Sequence, residues 1–248
     1  MTETLYKNRP KYEATEKIES YIRENNLSPN MKLPSERDMS ELWGLSRTSV
    51  RRAINRLINA GVLYNKMGSG TYVAEPKILR NLQNYIPFKE TVSQAGHRFT
   101  TAVLSTQIIE SNKQIAANLE LRLGHKVYAL TRLRSIDGKP FMLDTSYLDI
   151  ERFPGLDAHD FANQSLYTVL AEEYHIPIAK GNEHISITYA TEDEAKHLET
   201  TSETALFFVS GIAADAHGRP TEYAKVVIRP NMVRFKSELT LEGGGQIG

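Results

Sequence analysis

Between Ser35 and Val73 the chain sets out, end to end, a capped helical repeat, a two-residue break, a second capped helical repeat and a glycine-tipped hairpin. Few folds accommodate that order. In LPSERDMSELWG, Ser35 follows a proline and suits an N-cap, Glu36 and Asp38 suit the positive first turn, and Gly44 suits the C-terminal end. Met39, Leu42 and Trp43 are the predicted buried side. Ser46 caps the next helix, where Val50, Ala53, Ile54, Leu57 and Ile58 recur at i, i+3, i+4, i+7 and i+8, and Gly61 closes it. Upstream, Ala14, Ile18, Tyr21 and Ile22 form one apolar stripe over residues 13–24. Two helices joined by Gly44 and Leu45 have the spacing of a helix-turn-helix. After Gly61, residues 63–65 and 71–73 predict two strands around a loop holding Gly68 and Gly70, a wing whose tip can approach phosphate closely.

Charge follows the same segment. The whole chain balances 30 basic against 30 acidic residues, yet no acid stands between Leu42 and Ala74, where Arg47, Arg51, Arg52, Arg56 and Lys66 lie. At 100° per residue, Thr48, Arg52 and Asn55 fall opposite the apolar stripe, with Arg51 on its flank and Arg47 in the first turn. A helix that packs one side and presents donors on the other is a footprint for phosphates, so something negative outside the protein is the expected compensation. Cysteine is absent, which excludes disulfides, thiolate metal sites and a cysteine nucleophile and points to a reducing cytoplasm. No apolar run resembles a signal peptide or a membrane helix, so a cytoplasmic protein without membrane contact is expected. The GxG of the wing lacks a following GK[ST], which rules out a P-loop. The seven histidines are scattered without metal-pair spacing. With no nucleophile beside a base and no cofactor fingerprint, neither a metal, a cofactor nor an enzymatic activity is expected.

The stretch LPSERDMSELWGLSRTSVRRAINRLINAGVLYNKMGSGTYV resembles the winged-helix domain of GntR-type bacterial transcription regulators. The resemblance implies that Arg37 and Arg47 reach an operator, that Thr48, Ser49 and Arg51 bind backbone and bases, and that Gly68 and Gly70 form the wing tip. Arg52 joins them on helical geometry, and the caps Ser35 and Ser46 complete the candidate DNA-binding set. The implied partner is a double-stranded, palindromic operator bound by a homodimer.

The remaining sequence alternates strands and helices, read as an α/β or α+β domain around an antiparallel sheet. Residues 1–75 are expected to form the DNA-binding domain and 76–87 a polar linker of weak helical character, followed by a second domain over 88–248. A shift of 80 residues superposes DGKP at 137–140 on HGRP at 217–220, together with a helix and a strand before each, which suggests two similar halves. Arg132 and Arg134, two apart on a predicted strand with Tyr128 and Leu130, share one face and suit an anion. Ser165, read as a helix cap, adds a hydroxyl and nearby amides. KVYALTRLRSIDGKPFMLDTSYL, SLYTVLAEEYHIPI and GRPTEYA are similar to the effector-binding (UTRA) domain of the HutC subgroup of GntR regulators, whose fold is chorismate-lyase-like. That similarity implies an effector pocket lined by Phe88, Arg132, Arg134, Asp144, Ser165, Tyr167 and Glu222. Lys89, beside Phe88, either favours a more acidic ligand or points into solvent. The implied effector is a small anion, either a sugar phosphate or a small carboxylate, that releases a repressor from DNA.

Overall fold

In the computed structural model of the 248-residue chain the described residues are 10–75, 77–83 and 88–237. The chain divides into two compact units, Met1–Lys77 and Ile78–Gly248.

The first unit holds helices α1 (Pro10–Glu24), α2 (Glu36–Trp43) and α3 (Arg47–Asn59) and the antiparallel pair β1 (Leu63–Lys66) and β2 (Gly70–Val73). The predicted stripes meet in one core, where Ala14, Ile18, Met39, Val50, Ile54, Leu57 and Leu63 are buried. Both caps form as the sequence indicates. Ser35 Oγ accepts from Asp38 N while Asp38 Oδ2 accepts from Ser35 N, and Ser46 Oγ accepts from Ser49 N. One expectation fails: Leu42 is 62% exposed. The short helix buries the stripe of Met39 and Trp43, which lie about 40° apart, and Leu42 falls about 60° from Met39 on the other side. At the wing tip Gly68 has φ 70° and Gly70 φ 126°, values that a side chain at either position would strain.

The second unit is built on a six-stranded antiparallel sheet of order β4-β5-β6-β9-β8-β7. Its strands are β4 (Phe99–Glu110), β5 (Lys126–Ile136), β6 (Lys139–Asp149), β7 (Lys180–Tyr189), β8 (Ala205–Ala214) and β9 (Pro220–Ile228). The two halves suggested by the 80-residue shift are visible: β4, helix α5 (Lys113–Leu119), β5 and β6 are matched by β7, helix α7 (Glu192–His197), β8 and β9, and the halves join where β6 pairs with β9. Alternation along β5 divides the core. Val127 packs with Ile115 and Leu119 of α5 on one face. Tyr128 and Leu130 pack on the other with Phe153, Phe161 and helix α6 (Leu166–Glu172). Arg132 and Arg134 continue this second face.

The expected linker is partly structure. Residues 78–81 form a strand, β3 (Ile78–Asn81), paired in parallel with β10 (Val233–Lys236), so the second unit begins ten residues before the expected position 88. Weak helical propensity gives way because Ile78 and Val233 are buried in the same cluster as Phe141 and Val92, the latter on helix α4 (Phe88–Gln94). The parts of the expected linker at 76 and 84–87, and the end of the second domain beyond 237, lie outside the described residues. Among the described residues no helix is long and apolar enough to cross a membrane.

Candidate nucleic-acid interface and ligand cavity

Helix α3 turns its apolar stripe onto α1 and leaves Arg47, Thr48 and Arg52 exposed. Among the described residues neither Arg47 nor Arg52 has an ion-pair partner. Ser49 is half-buried and shares a hydrogen bond with the cap Ser46, Oγ to Oγ at 2.9 Å. Arg37, exposed on α2, lies 3.7 Å from Asp38 and 3.8 Å from Glu41, distances of a loose surface pair. Gly68 and Gly70 sit at the hairpin tip, where nothing approaches within 4 Å of a Cβ built on Gly68.

The expectation that all four arginines of α3 await an outside anion is corrected at two positions. Arg56 turns inward, with Nη1 donating to Thr15 Oγ1 at 3.0 Å and its guanidinium 4.8 Å from the Tyr12 ring centroid. Arg51 is held by Glu36: Nε donates to both carboxylate oxygens at 3.1 and 3.0 Å and Nη2 to Oε2 at 2.7 Å. The sequence gap in acids hid this partner, because α2 packs beside α3 and supplies from its own first turn the carboxylate that α3 lacks.

In the second unit all eight sequence-predicted effector residues line one cavity of about 400 Å³, within the range of small-molecule sites. Phe88 and Lys89 come from α4, Arg132 and Arg134 from β5, Asp144 from β6, Ser165 and Tyr167 from the start of α6, and Glu222 from β9. Strand register explains the central cluster, since Arg132 stands opposite Asp144. Arg132 donates to Asp144 Oδ2 from Nε at 2.9 Å and from Nη2 at 2.5 Å, and from Nη2 to Ser146 Oγ at 2.9 Å. Arg134 Nε reaches Asp144 Oδ1 at 2.5 Å. The two arginines are therefore not a bare anion site: Asp144 lies between them, and both it and Arg132 are buried. Burial alone would raise the Asp144 carboxyl, but the charges of Arg132 and Arg134 outweigh it and hold that group below the usual carboxylate range. Burial likewise disfavours the charged form of Arg132, and Asp144 and Glu222 more than compensate.

Other members of the cavity are paired as well. Tyr167 Oη donates to the buried Glu222, and Arg80 pairs with Glu183 while covering the Phe88 ring at 4.9 Å. Ser165 occupies the N-cap position but makes no side-chain capping bond, contrary to its reading as a cap. Four cationic and three carboxylate side chains line the space. Among the described residues Lys89 has no ion-pair partner and Arg134 Nη2 no hydrogen-bond acceptor. Arg80, Ser146, Glu183 and Thr101 escaped the sequence reading. Period-two alternation from Asp144 would have found Ser146, whereas Arg80 and Glu183 required strand β3 and the place of β7 in the sheet.

Residues 10–73 match the bacterial regulatory proteins of the gntR family, and residues 94–234, more than half of the chain, match the UTRA domain. The chain belongs to the gntR family of regulators that carry a UTRA domain. Among its relatives, the HTH-type transcriptional repressor NagR of Bacillus subtilis (strain 168) is 29% identical over 224 residues, covering 90% of this chain and 92% of that one. The HTH-type transcriptional regulator GgaR of Escherichia coli (strain K12) is 25% identical over 223 residues, covering 90% and 88%. The fold is that of PhnF from Mycobacterium smegmatis, with a TM-score of 0.69 at 21% identity over 92% of this chain and 100% of that one. These family members are transcriptional regulators, not enzymes, and the family's winged helix gives this chain a DNA partner.

Proposed function

We propose that the protein is a transcriptional repressor that binds a palindromic operator as a homodimer and is released when a small anion, a sugar phosphate or a small carboxylate, enters the cavity of the second unit. Residues 1–75 would read DNA, with Arg47, Thr48, Ser49, Arg51 and Arg52 at the major groove, Arg37 beside them and the Gly68–Gly70 tip at the backbone. The effector half of this reading rests on one observation: in a cavity of paired charges, Arg134 Nη2 and Lys89 keep donors without acceptors among the described residues. The relative named a repressor supports the sign of regulation. A second copy is favoured by the edge strand β7, which pairs with β8 on one side and has no strand neighbour on the other among the described residues, and whose Ile187 and Tyr189 are 72% and 69% exposed on one face.

The test combines two titrations of the full-length protein. A thermal-shift panel of sugar phosphates and small carboxylates identifies the stabilising anion, and fluorescence anisotropy on a duplex selected from random DNA then follows release as that anion is added. Arg134→Ala abolishes the shift and the release while leaving DNA affinity unchanged. If no anion in the panel stabilises the protein, or the stabilising anion leaves the duplex bound, the effector assignment falls.

A further inference from the structure

Arg51 carries the most constrained guanidinium on the exposed side of α3. Its side chain is 66% exposed, yet Nε and Nη2 are both taken up by Glu36, which is itself 34% exposed. An ion pair this open contributes little to stability, so its consequence lies in geometry. A guanidinium offers two bidentate faces, the Nε/Nη2 edge and the Nη1/Nη2 end. Glu36 occupies the edge and leaves the end, Nη1 with the outer hydrogen of Nη2, directed away from the carboxylate. That end matches the N7 and O6 acceptors that guanine presents in the major groove. Glu36 is well placed to act as a fixed post: it opens α2, and the reciprocal Ser35–Asp38 bonds hold that first turn. The carboxylate also repels phosphate, which discourages Arg51 from settling on the DNA backbone.

We propose that Glu36 is a specificity-determining positioning residue, holding Arg51 by its Nε edge so that the guanidinium end reads a guanine instead of binding phosphate. This rests on the assignment of α3 as the DNA-reading helix. The experiment selects binding sites from a random duplex library with full-length wild type, Glu36→Ala, Glu36→Gln and Arg51→Ala. Each protein is then titrated against the wild-type consensus duplex, against duplexes with each guanine replaced, and against a scrambled duplex.

Wild type enriches a guanine in each half-site at which Arg51→Ala shows no preference. At that same position the Glu36 variants lose roughly tenfold of their discrimination, the size of one bidentate base contact, and they bind the scrambled duplex more tightly than wild type. A merely structural role would weaken consensus and scrambled duplexes alike, and that outcome overturns the proposal. So does an unchanged guanine preference in both Glu36 variants where Arg51→Ala has lost it. If Arg51→Ala itself keeps every base preference, the failure lies in the assignment of Arg51 to DNA reading, and the role of Glu36 falls with it.

Discussion

Asp144 sits between the guanidinium groups of Arg132 and Arg134 with both oxygens engaged. A carboxylate so placed matters less for attraction than for what its removal exposes, because Arg132 is buried and would be left with the Ser146 hydroxyl and the more distant charge of Glu222. Asp144→Ala is therefore expected to destabilise the second unit by about 3–5 kcal/mol, the cost of leaving one charge of a buried pair uncompensated. Urea unfolding followed by far-UV circular dichroism measures it. The same residue sets an acid limit. Its folded-state pKa lies below the usual value of about 3.9, so its contribution is complete above roughly pH 5 and is lost as pH falls through the folded value. The stability gap between wild type and Asp144→Asn should thus stay constant from pH 7 to 5 and close progressively below that. Arg47 and Arg52 behave oppositely, being exposed and unpaired among the described residues. Arg52→Ala leaves thermal stability within about 0.5 kcal/mol of wild type and lowers the slope of log affinity for duplex DNA against log salt by about one.

At the scale of elements, α3 depends on its cap and on one buried stripe. Ser46→Ala removes the acceptor for Ser49 N and costs about 1 kcal/mol of the first unit's stability, whereas Ile54→Ala, at a fully buried position, costs about 2–5 kcal/mol. Thermal unfolding of the two variants side by side separates these magnitudes. Features of this kind were legible in the sequence because they are local: a cap, a 3.6-residue stripe and a glycine at positive φ each lie within a few residues. The β5–β6 and β8–β9 hairpins were legible for the same reason, through DGKP and HGRP. What escaped is set by distant partners. Nothing near Ile78 announces that Val233 will pair with it, and nothing near Arg51 announces Glu36, fifteen residues back on another helix. Leu42 failed for a subtler reason, since an eight-residue helix has room to bury one stripe, and Met39 with Trp43 had already claimed it. The cavity was half legible: alternation placed Arg132 and Arg134 on one face and the family resemblance supplied Asp144, but their mutual pairing follows from the register of β5 on β6.

At the scale of the whole molecule, a core of its own in each unit puts the proposed DNA-reading residues in one and a charged cavity in the other. A ligand in the cavity can weaken DNA binding only if it favours one of two states of the protein over the other, however tightly it binds. Thermodynamic linkage then fixes a second quantity: whatever factor the ligand takes from the affinity for DNA, DNA takes from the affinity for the ligand. With the stabilising anion in hand, its dissociation constant is expected to rise by about 5- to 150-fold when the protein is saturated with its selected duplex, and the same factor should appear in the duplex affinity when the anion is saturating. Calorimetric titration of the anion into free and DNA-bound protein measures the first, and anisotropy the second. Equal factors place the cavity and α3 in one two-state system. An anion that binds free and DNA-bound protein alike would mean that the cavity serves something other than release from DNA, whatever its affinity.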